Sequence, residues 1–101
     1  MIEKGTIVLS APVNSGVATH ELLVKNPYMG FAKFRATFVG DDNNEWSVTP
    51  NDGFLKSSEE TQFIVRYTPH SSGVSRAFFV IETEDFTKTW KVVGSTGEYE
   101  F

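Results

Sequence analysis

Residues 50–69 read P-N-D-G-F-L-K-S-S-E-E-T-Q-F-I-V-R-Y-T-P, a turn followed by an alternating strand between two prolines. Pro50-Asn51-Asp52-Gly53 has the residues of a tight turn: a pre-set φ, side chains that bond local backbone, and a permissive glycine. Farther on, Phe63, Val65 and Tyr67 alternate with Ile64 and Arg66, so three large side chains share one face of a strand over residues 61–67. Pro69 stops that strand, because proline cannot donate to a ladder. Ser57-Ser58-Glu59-Glu60 resembles a helix-capping box. No amphipathic turns follow it, so the segment reads as a connection between strands.

The same period of two recurs along the rest of the chain. His20, Leu22 and Val24 alternate with Glu21, Leu23 and Lys25, and Asn26-Pro27 closes that strand. Phe34, Ala36 and Phe38 alternate with Lys33, Arg35 and Thr37 in a strand over residues 31–39. The polar run over residues 40–45 reads as a solvated turn. Trp46 and Val48 then face inward on a short strand that Pro50 ends, and Phe54 with Leu55 is expected to anchor the crossing to a second sheet. Ala77, Phe79 and Ile81 alternate with Arg76, Phe78, Val80 and Glu82. A first strand over residues 5–10 and a last over 89–94, with Trp90 and Val92 inward, complete the set. Residues 95–101 read as a polar C-terminal tail. About seven short strands at roughly 8–12-residue spacing, with no helix, predict an all-β, immunoglobulin-like sandwich of antiparallel strands.

One hundred and one residues make one domain, and the abrupt start and end are those expected of a domain excised from a longer multi-domain protein. Nine Phe, three Tyr and two Trp supply the core, since each buried aromatic removes about 150–250 Å² from water. Phe34, Phe38, Trp46, Phe63, Tyr67, Phe79 and Trp90 form the inward set.

The net charge of −4, with basic residues scattered singly, excludes a nucleic-acid surface. No apolar run reaches the roughly 20 residues a bilayer-spanning helix needs, so direct membrane insertion is not expected. The absence of cysteine removes disulfides, thiolate nucleophiles and cysteine-type zinc sites, and fits a cytoplasmic protein.

Catalytic candidates are few. His20 and His70 lie on separate elements with no H-x-H or H-x-x-x-H spacing, and read as structural or surface residues. Asp41-Asp42-Asn43-Asn44-Glu45 is rich in oxygen but lacks the length and glycine of a calcium loop. There is no G-x-S-x-G elbow and no phosphate loop. The chain therefore reads as a non-enzyme with no cofactor and no metal. Gly53, Gly73 and Gly94 are expected at turns or bulges. Phe31, Phe78, Phe86, Phe101, Tyr28 and Met29 do not all fit inside. Phe78 and Val80, opposite Phe79 and Ile81, predict an apolar pair on an outer face, the usual mark of a partner site.

Taken in order, L-L-V-K-N-P (22–27), F-R-A-T-F (34–38), W-S-V-T-P-N-D-G-F-L (46–55), F-I-V-R-Y-T-P-H-S-S-G (63–73), A-F-F-V-I-E-T (77–83) and W-K-V-V-G (90–94) resemble the MSP/ASH group of PapD-like immunoglobulin modules. That group includes major sperm protein, the VAMP-associated tethering proteins and hydin-type ciliary proteins. The resemblance implies a cytoplasmic scaffold module of a cilium, flagellum axoneme, centrosome or basal body, with axonemal, centrosomal or cytoskeletal proteins as partners. In the tethering branch it implies a basic, threonine-rich peptide surface beginning on the third strand. Arg35 and Thr37 match that surface, whereas Phe38 and Val39 depart from it. The expected partner-binding residues are therefore Arg35, Thr37, Phe78 and Val80. The competing readings are a peptide-binding membrane-contact adaptor and an extracellular adhesion-type sandwich. The first strand, the last strand and the segment over residues 75–82 are further expected to offer backbone edges for an added strand.

Overall fold

A computed structural model describes residues 2–14, 16–40 and 43–96, with backbone alone for 2–4 and 43. Eight strands follow in order: β1 (Ile2–Ser10), β2 (Ala18–Lys25), β3 (Ala32–Gly40), β4 (Trp46–Thr49), β5 (Asp52–Leu55), β6 (Glu60–Tyr67), β7 (Val74–Thr83) and β8 (Thr87–Ser95). They build a five-stranded sheet in the order β1-β8-β7-β3-β5 and a three-stranded sheet in the order β2-β6-β4. The all-β sandwich is as expected. Two details differ from about seven antiparallel strands: β5 is an additional strand, and β1 runs parallel to β8.

The alternation read from sequence sets the inner faces. Phe63, Val65 and Tyr67 are fully buried on β6, as are Phe79 and Ile81 on β7 and Val92 on β8. One aromatic chain joins the two sheets, because side chains from both inner faces interdigitate across the interior. Phe34 meets Phe63 edge-on with centroids 5.2 Å apart, and Phe63 meets Phe79 at 6.3 Å. Phe79 stacks on Trp90 at 5.4 Å and lies 5.1 Å from Phe38; Phe38 stacks on Trp46, which lies 4.7 Å from Tyr67. Such contacts add about 0.5–1.5 kcal/mol each beyond area burial, so the chain of rings is a large share of what locks the sheets together. The Trp46 indole N–H donates to Ser75 Oγ at 3.1 Å, which satisfies its buried polar atom from the opposite sheet.

The opening stretch does change sheets twice. β4 lies in the small sheet and β5 in the large one, with Pro50 and Asn51 between them. The Asn51 carbonyl accepts from Ala36 N–H at 2.8 Å, fixing the entry. Asp52 and Gly53, read as turn residues, are strand residues instead: Gly53 pairs with Phe34 at φ 141°. That backbone angle excludes ordinary side chains, and the Phe34 ring lies 3.3 Å from where a Cβ would stand. Leu55 anchors the crossing, fully buried, but Phe54 faces solvent at 64% exposure. Period two separates the pair.

Three further expectations change. Asp41 and Asp42 lie outside the described residues, but the rest of the supposedly solvated turn is partly internal: Glu45 is buried at the end of a 3-10 turn, Asn43–Glu45. Its carboxylate accepts from His70 N–H at 2.7 Å and its carbonyl from Thr68 N–H at 2.8 Å. A charge-assisted bond offsets the desolvation that argued for a surface position. Gly94 makes no bulge. It pairs in register with Leu9 on one side and Ser75 on the other. Ser95, read as the start of a polar tail, instead ends β8 and is buried, and Thr96 exchanges hydrogen bonds with the Gly73 backbone. Residues 97–101, with Phe101, lie outside the described residues.

Candidate protein-contact face

β7 is the middle strand of the five-stranded sheet, flanked by β8 and β3. Its inward residues are core, so its outward residues Arg76, Phe78, Val80 and Glu82 form the centreline of the outer face. Directly opposite on β3 stand Val39 against Phe78, Thr37 against Val80 and Arg35 against Glu82. On β8 stand Val93 against Arg76, Lys91 against Phe78 and Thr89 against Val80. The structure therefore brings Arg35, Thr37, Phe78 and Val80 onto one face of two neighbouring strands.

The apolar part of this face is larger than Phe78 and Val80. Val39 is 57% exposed beside Phe78, itself 38% exposed, and Val8 on β1 stands 47% exposed next to the buried Val93. A shallow groove of about 270 Å³ runs between Val39, Phe78, Arg76 and Lys91. Val39 escapes the sequence reading because it stands where the resembled peptide surface is polar. The alternation of 35, 37 and 39 places it outward, but only the pairing of β3 with β7 sets it against Phe78. The outer face of the small sheet is more polar, with Leu23 exposed at 59% among polar neighbours. Arg66 donates there to Thr49 Oγ1 at 2.7 Å, and Ile64 pairs with Glu21 and Thr49.

Arg35 sits between two acids, in register with Glu82 on β7 and Asp52 on β5. A wider depression of about 570 Å³ at this end of the face adds Glu84 and Lys33 to its rim. Charges of both signs alternate there, so this end lacks the uniform positive field that would draw an acidic peptide.

A second apolar surface lies at the end of the sandwich. Asn26, fully buried, holds the β2–β3 connection: its amide donates to the carbonyls of Gly30 (2.9 Å) and Leu55 (3.4 Å), and its Oδ1 accepts from Tyr28 N–H (3.1 Å). Asn26 thus closes β2, as read from the sequence, by bonding backbone on both sides of the turn. The connection presents Tyr28, Met29 (93% exposed) and Phe31 to solvent, with the Tyr28 ring 5.8 Å from Phe86.

The expected strand edges are corrected. β7 is central and β8 lies between β1 and β7, so neither offers a free ladder; of the three elements proposed, β1 alone is an edge, and β5 is the edge opposite. The histidines stay apart, His20 on β2 and His70 in the β6–β7 connection. Among the described residues no group of three or more His, Cys, Asp or Glu could hold a metal ion. No helix among them is long and apolar enough to cross a membrane.

Neither a family model nor a curated protein matches this chain. Solved structures do. The ASH/PapD-like domain 7 of human CEP192 superposes with a TM-score of 0.73 at 16% identity, covering 94% of this chain and 82% of that one. SSP-19, an MSP-domain-like protein of Caenorhabditis elegans, gives 0.65 at 13% identity over 90% of this chain and 94% of that one. The E. coli chaperone DraB gives 0.72 at 13% identity over 95% of this chain but 54% of that one. Together with the eight strands and their order, these matches identify the fold as the PapD-like immunoglobulin sandwich of ASH and MSP domains.

Proposed function

We propose that this chain is a non-enzymatic protein-interaction module whose working surface is the outer face of the five-stranded sheet. Phe78, Val39 and Val80 provide the apolar contact, and Arg35 and Thr37 lie beside them. The observation that carries this reading is the cross-strand pair of Phe78 and Val39, both exposed on adjacent strands beside the centreline of the face. Exposed aromatic surface framed by charged residues is the composition of a contact core with a polar rim. The module serves as a scaffold in a cytoplasmic ciliary, flagellar or centrosomal structural protein. That setting is supported by the resemblance of the strand motifs to ASH modules and by the shared fold.

The test is capture of partners from an extract of ciliated cells by the parent and by Phe78→Ser. The reading predicts axonemal or centrosomal proteins on the parent and their loss on the variant. Capture that is indifferent to Phe78→Ser removes the face, and a captured set without such proteins removes the setting.

A further inference from the structure

Along the outer face of β7 the side chains run Arg76, Phe78, Val80, Glu82: cation, apolar, apolar, anion. This sequence is self-complementary. A two-fold axis lying in the plane of the face and crossing β7 at Phe79 reverses the strand. It sets Arg76 of one copy opposite Glu82 of the other, twice, and Phe78 opposite Val80, twice. β7 is also the middle strand, so the same rotation sets β8 against β8 and β3 against β3, with Val39 opposite Thr37. We infer that one partner of this face is a second copy of this chain, packed sheet to sheet as an isologous dimer. This inference rests on the reading of the outer face as the contact surface.

The geometry allows it. Packed sheets lie about 10 Å apart and cross at about 30°. Arg76 and Glu82 each lie three residues from the axis, about 10 Å along the strand, so a 30° crossing offsets them by about 5 Å. Long Arg and Glu side chains cover that offset. Four strand spacings of about 4.8 Å make the face about 19 Å wide, and the block from Arg76 to Glu82 is about 20 Å long. The resulting contact of about 400 Å² per copy, about 800 Å² in all, falls below the standard size and among weak, transient contacts, so the dimer is weak and concentration-dependent. Lys91 beside Phe78 strengthens the positive end of the pattern, and at the other end Glu82, Glu84 and Asp52 outnumber Arg35 and Lys33.

Charge reversal tests it. Sedimentation of the purified chain from about 10 μM to about 1 mM should show a reversible monomer–dimer equilibrium. Arg76→Glu alone and Glu82→Arg alone each place like charges opposite one another twice, and should weaken association by roughly tenfold or more. Mixing the two single variants in equal amounts should restore it. In the mixed dimer the introduced glutamate of one chain faces the introduced arginine of the other, and the remaining Arg76 faces the remaining Glu82. The double variant Arg76→Glu/Glu82→Arg should also associate like the parent. A parent that stays monomeric throughout, single reversals without effect, or a mixture no better than its components would each overturn the dimer. If the parent is monomeric while Phe78→Ser still loses captured proteins, the contact face stands and only the second copy is wrong. If the dimer behaves as stated and Phe78→Ser captures like the parent, the dimer stands and the broader functional reading falls.

Discussion

The Tyr67 ring occupies the space that a side chain on Gly94 would need. A Cβ built on Gly94 would lie 2.5 Å from Tyr67 Cε1 and 2.7 Å from Cδ1. Gly94 is in the large sheet and Tyr67 in the small one, so this contact sets how closely the sheets approach at that end. Tyr67 is fully buried and packed against Trp46, so it cannot swing aside. Gly94→Ala should therefore destabilise by about 2–3 kcal/mol, the upper part of the range for overpacking a tight core. In a Tyr67→Ala background the same change should cost well under about 1 kcal/mol, a coupling that a double-mutant cycle in denaturant reads directly.

Asn26 uses both ends of its amide to fold the β2–β3 connection against β5. Asn26→Ala leaves the Gly30 and Leu55 carbonyls and the Tyr28 N–H short of a partner, and should cost about 2–3 kcal/mol. Asn26→Asp keeps the acceptor but turns a carboxylate oxygen toward two carbonyls, so it should not rescue. Thermal unfolding of both variants gives the comparison, and an aspartate variant as stable as the parent would show that the donor bonds contribute little.

The two tryptophans should differ from surface residues in kind. Trp46→Ala or Trp90→Ala should lose about 3–5 kcal/mol, the cost of emptying a large buried site. Trp46→Phe keeps most of the ring contact with Phe38 and Tyr67 but loses the donor to Ser75, and should cost about 1–2 kcal/mol. Urea midpoints at constant m separate these values.

Glu45 ties the 3-10 turn before β4 to the connection after β6. Glu45→Gln retains an acceptor for His70 N–H and should cost under about 1 kcal/mol, while Glu45→Ala leaves that N–H unpaired and should cost about 1–3 kcal/mol. Amide exchange at His70 should rise in the alanine variant and stay near the parent rate in the glutamine variant.

Strands with unbroken alternation were legible from sequence: Phe63, Val65 and Tyr67 fix β6, and Ala77, Phe79 and Ile81 fix β7. β5 was not legible because two of its four residues, Asp52 and Gly53, are turn formers and Phe54-Leu55 alone is too short to show a period, so only pairing with β3 makes them a strand. Glu45 looked solvent-bound because its bonding partner is a backbone N–H 25 residues farther on. The parallel pairing of β1 with β8 is equally invisible, since it joins the two ends of the described chain. The site was legible in part. Phe78 and Val80 follow from alternation, but their contact with Thr37 and Val39 depends on which strands become neighbours.

Whether the outer face of the five-stranded sheet is the working surface is decided by parallel capture experiments with two folded variants. Phe78→Ser alters that face, and Glu21→Lys alters the outer face of the small sheet. Glu21→Lys should keep the parent's stability to within about 1 kcal/mol, as surface substitutions usually do, and Phe78→Ser, at a side chain 38% exposed, should cost about 1–2 kcal/mol and stay folded. Phe78→Ser should lose the proteins the parent captures, and Glu21→Lys should keep them. Capture retained by Phe78→Ser and lost by Glu21→Lys would overturn the assignment of the face.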